Sequence, residues 1–122
     1  IDRRTALKLS SSFGGGMGRL REVCGSVSGM FLTAGILYGY DSPKDRSSKT
    51  EHYKRIQELA RSFEELNGSI VCRELLGLDQ KKESYVPEER TKDYYRKRPC
   101  EQIVGCAAYI MEEYIRNHPI LS

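Results

Sequence analysis

Apolar residues recur along this chain at spacings of three and four, and nowhere in the strict alternation of a half-buried strand. The longest stripe is Leu20, Val23, Cys24, Val27, Met30, Phe31, Ala34, Leu37 and Tyr38. It predicts a helix over residues 19–38. A second stripe, Tyr53, Ile56, Leu59, Ala60, Phe63 and Leu66, predicts a helix that Asn67-Gly68 ends. Ser42 and Pro43 offer that helix a cap and a first helical residue. A third stripe, Ile103, Val104, Ala107, Ile110, Met111 and Tyr114, predicts a last helix opened by Pro99 and running to about residue 117. Two shorter helices complete the set. One spans residues 3–12, with Asp2 as cap and Leu7 and Leu9 as a small apolar face; the other spans residues 70–76, with Ser69 as cap. Phe13-Gly14-Gly15-Gly16-Met17-Gly18 interrupts the first two helices, because successive glycines lose too much backbone entropy to stay helical. Residues 78–98 are polar and poorly periodic and read as a long connection. The expected fold is all-α, a compact bundle of about five helices forming a single domain over residues 1–122.

Composition removes several classes of function. With 39% hydrophobic and 30% charged residues the chain is globular rather than disordered. A net charge of +3, with bases and acids interleaved, argues against a nucleic-acid partner. The basic stretch from Arg90 to Arg98 contains Asp93, Tyr94 and Tyr95 and reads as a solvated face. The longest apolar run, residues 27–40, is broken by Ser28, Gly29, Thr33, Gly35 and Gly39 and cannot span a bilayer. No signal peptide or lipidation motif is evident, so the expected location is cytoplasmic. Neither a Ser–His–acid set nor a carboxylate pair stands out, which leaves hydrolase readings without support. His52 and His118 lack spaced metal-ligand partners and are expected at the surface.

The chemistry in this sequence lies in its cysteines, at positions 24, 72, 100 and 106. None forms C-x-x-C, which excludes thioredoxin-like and zinc-finger patterns, and there is no C-x-x-C-H for a c-type haem. Cys72 and Cys100 fall in the first turns of predicted helices, where free amides and the helix dipole favour a thiolate. Arg73 follows Cys72, Arg96, Lys97 and Arg98 precede Cys100, and Arg19 and Arg21 flank Cys24. These three thiols are expected to converge in space. Cys106, six residues beyond Cys100, falls on another face and reads as a packing residue. The plain alternative for all four is that they are small buried hydrophobes. The glycine run could form a nest of amides for an anion, with Gly14, Gly15, Gly16 and Arg19 as its residues, although the Walker lysine and a preceding strand are absent. Gly15, Gly25 and Gly29 are expected where helices approach closely.

The run Phe13 to Arg19, the hexapeptide Cys24-Gly25-Ser26-Val27-Ser28-Gly29, the segment Gly68 to Gly77 containing Cys72-Arg73-Glu74-Leu75-Leu76-Gly77, and Cys100 ahead of the last helix form a specific combination. Together they resemble the CGCAxxGCC-motif family, small bacterial and archaeal domains associated with redox activity. Ser26 stands where that family usually has alanine. The resemblance implies four characteristic cysteines, three of which map onto Cys24, Cys72 and Cys100. The fourth would lie in an N-terminal helix preceding Ile1, and Cys106 is not its equivalent. A related domain in a split-Soret type of cytochrome has been associated with an iron–sulfur centre. The implied function is therefore that of an oxidoreductase or electron-transfer protein. Its clustered cysteines would ligate an iron–sulfur cluster or another metal, or cycle between dithiol and disulfide, with a redox partner and with a homodimer left open. A non-catalytic helical module that binds a partner, with its cysteines merely buried, is the competing reading.

Overall fold

Asp2 starts the first helix as expected, its carboxylate accepting from the Thr5 amide at 2.7 Å. Helix α1 covers Arg3–Ser10 and passes into a 3-10 turn at Ser11–Phe13. The computed structural model describes residues 1–77 and 100–120. Among these residues four more regular right-handed helices follow: α2 at Gly25–Tyr38, α3 at Arg46–Asn67, α4 at Cys72–Leu75 and α5 at Cys100–Asn117. The described residues contain no strand, only an isolated antiparallel bridge between Val23 and Val71. The fold is all-α, as the apolar spacing predicts. The expected connection at 78–98, its basic stretch and Pro99 as a helix start lie outside the described residues.

The core is made by the three long helices. Val27, Met30 and Ala34 of α2 meet Leu59 and Phe63 of α3 and Ile103, Ala107, Ile110 and Met111 of α5. Within each helix these positions recur at three and four residues, with Ile110 and Met111 standing seven and eight beyond Ile103, the spacing that keeps side chains on one face. The stripe on α3 holds at Ile56, Leu59, Ala60 and Phe63 and differs from the expected one at its ends. Tyr53 and Leu66 are exposed, and His52 takes the inward place. His52, Ile56, Leu59 and Phe63 are themselves at helical spacing, so the signal was present in the sequence. A histidine does not count toward an apolar stripe, so its polarity hides the inward position.

Three helix starts differ from expectation. Asp45, not Ser42, caps α3: its carboxylate accepts from both the amide and the hydroxyl of Ser48, at 3.0 and 2.7 Å. An ionised cap holding two donors prevails over a serine–proline start, and Ser42 instead closes a turn, accepting from the Asp45 amide. Val71, not Ser69, occupies the cap position of α4. The Ser69 hydroxyl accepts from the Val71 amide and donates to Glu74 Oε1, which shapes the approach to the helix. The largest difference is at α2, which begins at Gly25 and not at residue 19. Met17, Arg19 and Arg21 all have left-handed φ, at 68°, 68° and 59°. A right-handed helix cannot contain them.

Candidate functional site

The segment that fails to be helical builds the site. Gly14–Met17 is a tight turn in which Gly15 and Gly16 are left-handed, with φ of 66° and 69°. It is tied down by two backbone bonds, Gly18 N to Gly14 O at 2.9 Å and Glu22 N to Gly16 O at 3.0 Å. The chain then runs antiparallel to the start of α4. The Cys24 amide donates to Ile70 O at 2.8 Å, the Cys72 amide donates to Glu22 O, and Arg73 donates to Arg21 O from both its amide and its guanidinium. These bonds replace the ones a helix over 19–24 would have made, and so tertiary pairing overrides the apolar periodicity there. Leu20 is consequently turned outward and Arg21 inward, leaving Arg21 only 1% exposed.

This pairing fixes where the thiols go. The bridge between Val23 and Val71 lays the segment carrying Cys24 alongside the segment carrying Cys72. Both cysteines line one cavity of about 230 Å³, together with Cys100 at the start of α5. Gly14, Gly15 and Gly16 form one wall, and Leu75, Leu76, Ile103 and Val104 make another wall apolar. Cys72 is buried, whereas Cys24 and Cys100 are half-buried, and none of the four cysteines is in a disulfide.

Arg21 also lines this cavity, and its Nη1 donates to Cys72 Sγ at 3.5 Å. Sequence reasoning noted Arg21 only as a neighbour of Cys24. Its burial follows from the left-handed turn, which no periodicity reveals. Arg73, on the outer side, pairs with Glu22 at 3.1 Å across a half-exposed contact, which pins the bridge but contributes little energy. Of the proposed anion nest, Gly14, Gly15 and Gly16 line the cavity and Arg19 does not.

The glycines divide. A methyl group at Gly16 would sit 2.5 Å from Cys72 Cβ and 3.0 Å from Arg21 Cα, so this glycine lets the turn close on the thiol. At Gly25 the methyl would lie 2.7 Å from Phe13 O, and at Gly15 it would lie 2.9 Å from the flexible Arg19 side chain. Gly29, expected to be a close approach, has nothing within 4 Å. It faces an open groove between α2 and α5 rather than a neighbouring helix. Cys106 lies off the cavity, packed at the edge of the core, its Sγ accepting from Asn67 Nδ2 at 3.4 Å.

The family model described as "Putative redox-active protein (C_GCAxxG_C_C)" matches residues 1–114. The chain belongs to this family. No curated relative and no solved structure matches it. The match spans the glycine turn, the segment around Cys24, the α4 region and most of α5, so every side chain of the cavity falls within it. Among the described residues, no group of three or more His, Cys, Asp or Glu side chains is placed to hold a metal ion. Also among the described residues, no helix is long and apolar enough to cross a membrane.

A second polar cluster lies away from the cavity. His52, buried in α3, has its Nδ1 3.0 Å from Arg55 Nη1 and its ring edge-on to Tyr40. Its expected surface position is thus corrected. Arg55 Nε donates to the Tyr114 hydroxyl of α5 at 3.0 Å, and the guanidinium stands over the Tyr38 ring of α2. Burial, and secondarily the Arg55 charge, hold the His52 pKa below the ordinary histidine value. His118 is exposed as expected and stacks on Tyr114 at 3.9 Å.

Proposed function

We propose that the chain is a thiol-based redox protein in which Cys24 and Cys72 cycle between dithiol and disulfide, with Cys100 on the same cavity as a third exchanging thiol. The observation that carries this reading is the cavity that Cys24 and Cys72 both line, beside the buried Arg21 that donates to Cys72. Forming the disulfide releases two electrons and two protons to an acceptor, and a reductant returns them. Arginine stays charged at all relevant pH, and its N–H holds a sulfur that carries negative charge more strongly than a neutral one. Attack by sulfur proceeds through that charge. The competing reading, a module whose cysteines only pack, suits Cys106, which lies off the cavity.

The test is a redox titration of the reduced chain, purified without oxygen, in glutathione buffers of graded potential. Peptide mapping should show Cys24 and Cys72 joined in the oxidised form and released again by reductant, while Cys106 stays alkylatable throughout. If all four thiols remain free under oxidising buffers, or if the chain purifies with stoichiometric iron or zinc that blocks the thiols, the dithiol reading fails.

A further inference from the structure

The cavity constrains which acceptor can reach Cys72. The sulfur lies beneath Gly16, against which even a methyl group would collide, and the residue is 7% exposed. The space around it is about 230 Å³, closed by the glycine turn on one side and by Leu75, Leu76 and Ile103 on the other. An incoming disulfide must align both its sulfurs with Cys72 Sγ and still accommodate a substituent on each. A hydroperoxide needs to present only two oxygen atoms, one of which may bear a small apolar group. Arg21 Nη1, already bonded to the sulfur, lies within reach of an oxygen that approaches this sulfur. Its charge is fixed and its site is buried, the conditions under which a donor stabilises developing negative charge most strongly.

We infer that the site reduces small hydroperoxides, with Cys72 as the attacking sulfur, Arg21 as the catalytic donor to the leaving oxygen, and Cys24 as the resolving thiol. The inference rests on the dithiol reading and adds its substrate class. In the first step Cys72 Sγ attacks the terminal oxygen of R–O–O–H. An S–O bond forms, the O–O bond breaks, and the thiol proton ends on the departing oxygen, giving Cys72 sulfenic acid and R–OH. Sulfur is oxidised by two electrons and the peroxide is reduced by two. In the second step Cys24 Sγ attacks Cys72 Sγ, an S–S bond forms and water leaves. An external dithiol then reduces the disulfide by two exchanges and restores the start. The apolar wall of Leu75, Leu76, Ile103 and Val104 suits a hydrocarbon R group, so small organic hydroperoxides should serve at least as well as hydrogen peroxide.

The experiment uses the full chain, reduced with dithiothreitol and desalted, and mixed with one equivalent of cumene hydroperoxide, hydrogen peroxide or oxidised glutathione. Peroxide should be consumed with formation of the Cys24–Cys72 disulfide. In Cys24→Ser, dimedone should label Cys72 as a trapped sulfenic acid far faster than Cys106. Arg21→Met should slow peroxide consumption on the order of 10²-fold. Arg21→Lys, which keeps a donor and is the safer variant for folding, should fall between, with circular dichroism confirming the helical fold. If Cys72 is labelled no faster than Cys106, or if a folded Arg21→Lys reacts at the parent rate, the peroxide inference is overturned. If the Cys24–Cys72 disulfide still forms readily with oxidised glutathione in that case, the substrate class has failed and the dithiol reading stands. If it forms with neither oxidant, both have failed.

Discussion

Gly16 and Gly29 show how little a residue's identity says without its surroundings. Gly16 is left-handed at φ 69° and has the Cys72 Cβ and the backbone of Arg21 and Glu22 within 3.0 Å of where a methyl would stand. Alanine there must both adopt an unfavourable φ and displace backbone. Gly16→Ala is expected to destabilise the fold by about 1–3 kcal/mol and to disturb thiol reactivity at Cys72. Gly29 sits in α2 with nothing near it. Gly29→Ala should stabilise the chain by roughly 0.5–1 kcal/mol, since it removes unfolded-state freedom without a clash. Urea denaturation of the two variants checks both signs. Nothing in the local composition separates these glycines. The close contact at Gly16 comes from residues five and fifty-six positions away.

At the scale of elements, α2, α3 and α5 are joined at one end by the cluster around Arg55. Its guanidinium touches the Tyr38 ring of α2, His52 of its own helix α3, and the Tyr114 hydroxyl of α5. His52 contributes while neutral, because one ring nitrogen can then accept from Arg55. Its folded-state pKa lies below the unfolded value, first through burial and then through the Arg55 charge. Below about pH 6.5 the unfolded chain takes up a proton that the folded chain does not. This stabilisation is thus complete above about pH 6.5, falls as pH drops toward the folded pKa, and declines no further below it. Denaturant melts between pH 8 and pH 5 should show that loss, and His52→Gln should flatten the dependence. The histidine was legible at helical spacing with Ile56, Leu59 and Phe63, whereas its arginine and tyrosine partners, which come from two other helices, were not.

At the scale of the whole molecule, the bond between Cys24 and Cys72 would link the start of α2 to α4 across all of α3. Closing a loop of that length removes about 4 kcal/mol of unfolded-state entropy, less whatever strain the closed form carries. The oxidised chain should therefore unfold at higher urea concentration than the reduced chain. That difference should vanish in Cys72→Ser and persist in Cys106→Ser. Equal midpoints with and without reductant would mean that closure strains the bundle by as much as it constrains the unfolded chain.

The sequence alone determined the helical class and the three core stripes, and it singled out Cys24, Cys72 and Cys100, which line one cavity, from Cys106, which does not. These follow from periodicity and from residue type, which are properties of neighbours along the chain. Only the tertiary structure decided that residues 19–24 are not helical. There, hydrogen bonds to residues some fifty positions away outweigh local propensity, and they accommodate three left-handed non-glycine residues at a cost of about 1 kcal/mol or more each. That same departure buries Arg21 against Cys72. The burial of that charge on the cavity was invisible in the sequence, because it is set by a long-range pairing that no spacing of apolar residues records.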